Sequence, residues 1–173
     1  MTNSRRTPPP LDRRALEDLA LRYVARFATT RGKLAEYLAR KVRERGWDGP
    51  AAADPAAIAD RMAELGYIDD RAFAEARARS LARRGYGAGR VGQALKAARI
   101  AGEDIAELVE QSDEQALESA LAFARRRRIG PFASAPADER GRQRHMAAML
   151  RAGHSFTLAR QIVAAAPGDI PEA

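Results

Sequence analysis

The sequence predicts an all-α protein made of three tandem three-helix repeats, an elongated and modular chain rather than a globular enzyme domain. Three observations predict it. Alanine and leucine dominate while β-branched residues are sparse, which is helical composition. Turn signals interrupt the apolar periodicity every twelve to twenty residues along the 173-residue chain. The predicted second-helix ends, Arg45-Gly46-Trp47, Ala98-Arg99-Ile100 and Ala152-Gly153-His154, recur at spacings of 53 and 54 residues. Each repeat holds few large apolar residues, so stacked neighbours have to share the burial.

The elements follow in order. Residues 1–12, rich in proline and charge, are expected to form a flexible N-terminal arm, and they lack the apolar stretch of a signal peptide. The first repeat covers 13–66. Leu16, Leu19, Ala20, Tyr23, Val24 and Phe27 line one face of its first helix. Thr29 or Thr30 caps a second helix with Leu34, Tyr37, Leu38 and Val42 inward, and Gly46 ends it. Asp54-Pro55 opens a third, carrying Ile58, Met62 and Leu65, which stops at Gly66.

The second repeat covers 67–111. Asp69 caps a helix with Phe73, Ala74, Ala78 and Leu81, closed by Gly85. The stretch Gly85-Tyr86-Gly87-Ala88-Gly89 reads as a flexible connection to a helix with Val91, Ala94, Leu95 and Ala98. An acidic helix with Ile105, Leu108 and Val109 follows. The third repeat covers 112–166. Ser112 and Gln115 have capping-box spacing before a helix with Leu117, Ala120, Leu121 and Ala124. Ile129–Ala137 is a loop, Met146, Met149 and Leu150 mark the eighth helix, and Ser155 caps the ninth, with Leu158 and Ile162 inside; 167–173 form a tail.

Charge falls in blocks. Residues 71–101 carry eight basic side chains against Glu75 alone, residues 102–122 seven acidic and none basic, and residues 123–165 nine basic against two acidic. Blocks of this kind suit separate faces, two of them able to meet a polyanion or an acidic protein surface. Catalysis has little to stand on. There is no cysteine, and the two histidines, His145 and His154, sit nine apart without zinc-ligand spacing, reading instead as surface or helix-end side chains. The glycine-rich turn follows a helix instead of a strand and lacks the Lys-Ser/Thr of a phosphate loop. Asp69 and Asp70 are adjacent carboxylates, but a helix start accounts for both. No enzyme activity, cofactor or metal is expected. No apolar run approaches the ~20 residues that span a bilayer, so a cytoplasmic chain without membrane contact is expected.

At Gly66-Tyr67-Ile68-Asp69-Asp70-Arg71-Ala72-Phe73-Ala74 the chain resembles the signature of the RecX family, regulators of the RecA recombinase. The resemblance continues through Arg84-Gly85-Tyr86-Gly87, Val91-x-x-x-Leu95 and Ile100-x-x-Glu103-Asp104-Ile105, and closes on Leu150-Arg151-Ala152-Gly153-His154-Ser155-Phe156, spanning Ala15 to Val163. Gly66, Tyr67, Ile68, Asp69, Asp70, Phe73, Ala74 and Gly85 are expected to act as fold determinants, with Tyr67, Ile68 and Phe73 locking the first repeat onto the second. Departures from the family pattern are Arg99 where glycine is usual, Lys33 in place of an acidic residue, His154 in place of an aromatic or aliphatic one, and a longer Trp47–Ala53 loop. If position 99 is left-handed, its arginine costs roughly 1 kcal/mol.

What the resemblance implies is a monomer that binds in the groove of a RecA–DNA filament and inhibits filament extension, ATP hydrolysis, strand exchange and coprotease activity. Single- or double-stranded DNA phosphates are within its implied reach. The basic residues expected to meet the filament are Arg77, Arg83, Arg84, Arg90 and Lys96 around the glycine turn, Arg125, Arg126, Arg127 and Arg128, and Arg140, Arg142, Arg144 and Arg151. A bland reading of the four-arginine run exists too, since cations at a helix C-terminus favour the helix dipole. Two other readings stand beside this one: a stand-alone basic DNA-binding module of helix-turn-helix type, and an adaptor for some other acidic partner.

Overall fold

The computed structural model describes residues 9–172. Its elements are α1 (Arg13–Val24), α2 (Arg31–Arg45), α3 (Pro55–Glu64), α4 (Asp70–Arg83), α5 (Ala88–Ala97), α6 (Gly102–Glu114), α7 (Ala116–Arg127), a 3-10 turn at Gly130–Phe132, α8 (Glu139–Arg151) and α9 (Phe156–Ala164). Among the described residues the extended structure is one isolated parallel bridge, Leu11 to Trp47. The fold is all-helical, in three-helix repeats. At the matching helix ends Gly46, Arg99 and Gly153 all have positive φ, of 84°, 59° and 91°, so the interval seen in the sequence is a recurring backbone conformation.

Several starts are fixed locally. Thr30, Asp54, Asp69 and Ser155 each accept a hydrogen bond from the amide three residues on, as do Asp12 and Asp138. Leu11 is fully buried and exchanges backbone hydrogen bonds with Gly46 and Asp48, while Asp12 caps α1. Those two residues are therefore packed and do not belong to the arm expected over 1–12; the first eight lie outside the described residues. The expected capping box at Ser112 is corrected. Ser112 lies inside α6, and its hydroxyl donates to the Leu108 carbonyl at 2.7 Å. A serine bonded back to i−4 satisfies itself within the helix, so α6 runs on to Glu114.

Packing divides the chain into two compact units: one runs through Phe73 and takes in Ala98–Ile100, the other holds Ala74–Ala97 and continues from Ala101. The first is built on Leu11, Leu16, Ala20, Leu34, Leu38, Ile58, Met62 and Ile68, from α1, α2, α3 and the chain flanking them. In the second, Ala78, Leu81, Val91, Leu95, Ile105 and Leu108 are buried along α4, α5 and α6, and Phe123, Ala124, Ile129, Met149, Ala159 and Ile162 form the cluster of α7, α8 and α9.

Candidate partner-binding surface

The signature segment closes α3 and opens α4. Helix α3 ends with Gly66 at φ 79°; the Gly66 amide bonds the Ala63 carbonyl and the Tyr67 amide the Met62 carbonyl. This paired closure requires a left-handed residue at position 66, which glycine supplies without strain. Ile68 then enters the core and Asp69 caps α4. Asp70 does something local reasoning misses: it accepts from the Arg31 amide at 2.9 Å and from Arg31 Nε at 3.1 Å, so its carboxylate serves the N-terminus of α2. Beside it the fully buried Thr30 hydroxyl caps α2 and donates to the Ala98 carbonyl. Phe73 is half-buried and Ala74 buried, but Tyr67 is not a lock. It is 57% exposed, because the turn at Gly66 aims it outward to line an open cavity with Leu21, Trp47 and Leu65.

The glycine-rich turn is also corrected: it is a clamp, not a flexible connection. Gly87 donates to the Ala152 carbonyl at 2.9 Å and Gly89 to the Gly153 carbonyl at 3.1 Å. Side chains have no room there. A Cβ on Gly87 would lie 2.5 Å from the Gly153 oxygen and 2.8 Å from His154 Nδ1, and one on Gly153 would strike the Arg90 amide. Gly85, at φ 73°, sits 2.6 Å (as a Cβ) from the Phe123 amide. His154, expected as a surface or helix-end side chain, follows the end of α8 but is buried at 6% exposure, with Nε2 3.0 Å from the Gly85 carbonyl and the ring 5.7 Å from that of Phe123. That contact requires Nε2 to carry the proton, and Nδ1 is left without a partner. Burial pushes the His154 pKa below the usual histidine range, against a smaller opposing pull from the Gly85 carbonyl.

All thirteen basic residues of the expected contact set are exposed, but they differ in what holds them. Arg126 donates to the Arg83 carbonyl, joining the ends of α7 and α4. Arg125 lies over Phe132 at 5.0 Å, Arg127 over Phe123 at 5.8 Å and Arg84 over Tyr86 at 5.1 Å. Arg128 is the left-handed residue that closes α7. The four-arginine run is thus divided by helix phase among separate structural contacts. Arg142 is held by Glu139 at 2.7 Å and the Ala137 carbonyl, and Arg90 reaches Gln93. Arg77, Arg83, Lys96, Arg140, Arg144 and Arg151 pair with no carboxylate among the described residues. On α8, Arg140, Arg144 and Arg151 fall within about 40° of one another around the helix axis, so they form one stripe.

Among the described residues no cluster of histidine and acidic side chains could hold a metal ion, and no helix is long and apolar enough to cross a membrane. Residues 69–109 match the family profile described as "RecX, second three-helix domain", beginning at the Asp69 cap. The chain is 32% identical over 160 residues to the regulatory protein RecX of Myxococcus xanthus, covering 88% of this chain and 86% of that one. It is 36% identical over 155 residues to the regulatory protein RecX of Halorhodospira halophila, covering 90% of each. This chain belongs to the RecX family. The crystal structure of RecX from Lactobacillus salivarius shares the fold, with a TM-score of 0.63 at 18% identity over 86% of this chain and 92% of that one. A second RecX crystal structure aligns with a TM-score of 0.58 at 21% identity, over 86% and 69%. As a RecX-family member, the chain is placed among regulatory proteins.

Proposed function

We propose that this RecX-family protein binds the RecA–DNA filament and restrains it. The observation that carries the reading is the set of exposed cations without carboxylate partners on α4, α5 and α8: Arg77, Arg83, Lys96, Arg140, Arg144 and Arg151. Cations that stabilise nothing within the chain are available to an acidic protein surface or to phosphates. The protein acts as a monomer in the cytoplasm, through repeats bounded at 13–66, 67–111 and 112–166. It lies in the filament groove across neighbouring recombinase subunits. A ligand shifts a two-state assembly only by binding one state more tightly, so it holds the filament in the conformation it prefers. Filament extension, ATP hydrolysis, strand exchange and coprotease activity all decline as a result.

The test is co-sedimentation with RecA–DNA filaments over a salt series. Charge reversal at Arg140→Glu together with Arg144→Glu, two residues free of intramolecular pairing, is expected to weaken binding by at least about tenfold and to flatten its salt dependence. Identical sedimentation of wild type and double variant at every salt concentration would refute the assignment of this surface.

A further inference from the structure

The first unit carries a feature that neither its core nor the basic set on α4, α5, α7 and α8 explains. Three aromatic rings form a ladder. Tyr37 of α2 and Tyr23 of α1 have ring centroids 4.4 Å apart with planes inclined by 31°, and Phe27, just beyond α1, lies 5.2 Å from Tyr23. The two tyrosines lean on the apolar core, which accounts for their positions. Phe27 does not: it is 56% exposed and extends the ladder into water.

Cations surround the rings. The Arg40 guanidinium is 5.6 Å and the Lys41 ammonium 5.9 Å from the Tyr37 centroid. A cavity of about 360 Å³ opens here, lined by Tyr23, Tyr37, Lys33, Arg40, Arg43 and Glu36. The acidic side chains are already neutralised. Glu36 bonds Lys33 at 2.9 Å and Arg99 at 3.4 Å, and Glu44 bonds Lys41 at 2.6 Å with Arg40 at 3.6 Å. Five cations, Lys33, Arg40, Lys41, Arg43 and Arg99, therefore face two carboxylates. Lys33 and Arg40 stand seven residues apart on one helix, about 10 Å along its axis. Cations spread over that length can follow the backbone of a strand, which one phosphate cannot engage.

We propose that this face of α1 and α2 is a stacking site for single-stranded nucleic acid, with a base laid on Phe27 and the strand's phosphates along Lys33, Arg40 and Arg43. An exposed π-face beside a cationic track is what sequence-tolerant strand binding requires. Rings supply base affinity that salt does not screen, and cations supply affinity that it does. The residues are distinct from those assigned to the filament, and the site stands independently of that assignment.

The test uses the full chain without recombinase. Fluorescence anisotropy compares a labelled oligothymidylate with an abasic oligomer of the same length and charge. Wild type is expected to bind the base-bearing strand about fivefold or more tightly than the abasic one. Phe27→Ala should remove that preference without changing the salt slope, and Phe27→Trp should restore it. Phe27 is outside the core, and circular dichroism of the variants confirms that the fold is kept. Equal binding of both oligomers by wild type, or an undiminished preference in Phe27→Ala, overturns the proposal. So does a Phe27→Ala variant that binds strands normally yet loses affinity for RecA filaments, which would assign the ladder to a protein partner.

Discussion

Gly32→Ala should destabilise the first unit in the wild-type background and be far better tolerated once Arg99 is replaced by glycine. Gly32 lies in the first turn of α2, where alanine would ordinarily favour the helix by up to about 1 kcal/mol. The structure opposes this gain. A Cβ at position 32 would collide with the Arg99 Cβ and stand 2.9 Å from the Arg99 carbonyl and 3.3 Å from its Cγ. Overpacking of this kind costs roughly 1–3 kcal/mol, so the net effect is a loss of about 1 kcal/mol. Arg99→Gly removes both side-chain obstacles and leaves only the carbonyl. It also relieves a left-handed arginine at φ 59°, worth roughly 1 kcal/mol, while the exposed contact to Glu36 that it sacrifices contributes little. The two substitutions should therefore couple by about 1–2 kcal/mol in a double-mutant cycle. Urea unfolding followed by Trp47 fluorescence reports on this unit, because Trp47 is the chain's single tryptophan and packs against the unit's core. Additivity of the two changes within about 0.5 kcal/mol would refute the steric account.

Other consequences concern the second unit. Gly153→Ala combines a disfavoured φ of 91° with a collision against the Arg90 backbone, and should cost roughly 3 kcal/mol, read as a lower midpoint in urea unfolding followed by circular dichroism. The folded-state pKa of His154 lies below its ordinary value of 6.5, so the unfolded chain takes up the proton first as pH falls. Stability should be full above about pH 6.5 and decline below it, and His154→Phe should flatten the difference in melting temperature between about pH 7.5 and pH 5.5. Arg126→Ala should cost about 1 kcal/mol by freeing the Arg83 carbonyl, whereas Arg140→Ala should leave stability unchanged; thermal melts of the two variants compare them directly.

What could be read from the sequence is what neighbours in sequence decide. Thr30, Asp54, Asp69 and Ser155 announce helix starts because the amide each one caps is three residues away. The interval linking Gly46, Arg99 and Gly153 is equally visible and corresponds to positive φ at all three. Asp12 is legible in the same way, since an aspartate precedes the apolar stripe of α1, but the prolines before it suggest an arm. The misreadings depend on distant partners. Gly87 and Gly89 look like a loose turn until the Ala152 and Gly153 carbonyls arrive to accept from them. His154 looks like a helix-end side chain until the Gly85 carbonyl and the Phe123 ring enclose it. Within the surface set, Arg126 and Arg140 are indistinguishable as residue types; helix phase and the position of Arg83 tie one and free the other.

The claim that this RecX-family chain restrains a RecA filament is tested most directly by DNA-dependent ATP hydrolysis of the cognate recombinase as the protein is titrated in. Hydrolysis should fall at well below one regulator per recombinase subunit, and Arg140→Glu with Arg144→Glu should move the curve to higher concentration. Undiminished hydrolysis with the filament assembled and the protein in excess would contradict the account.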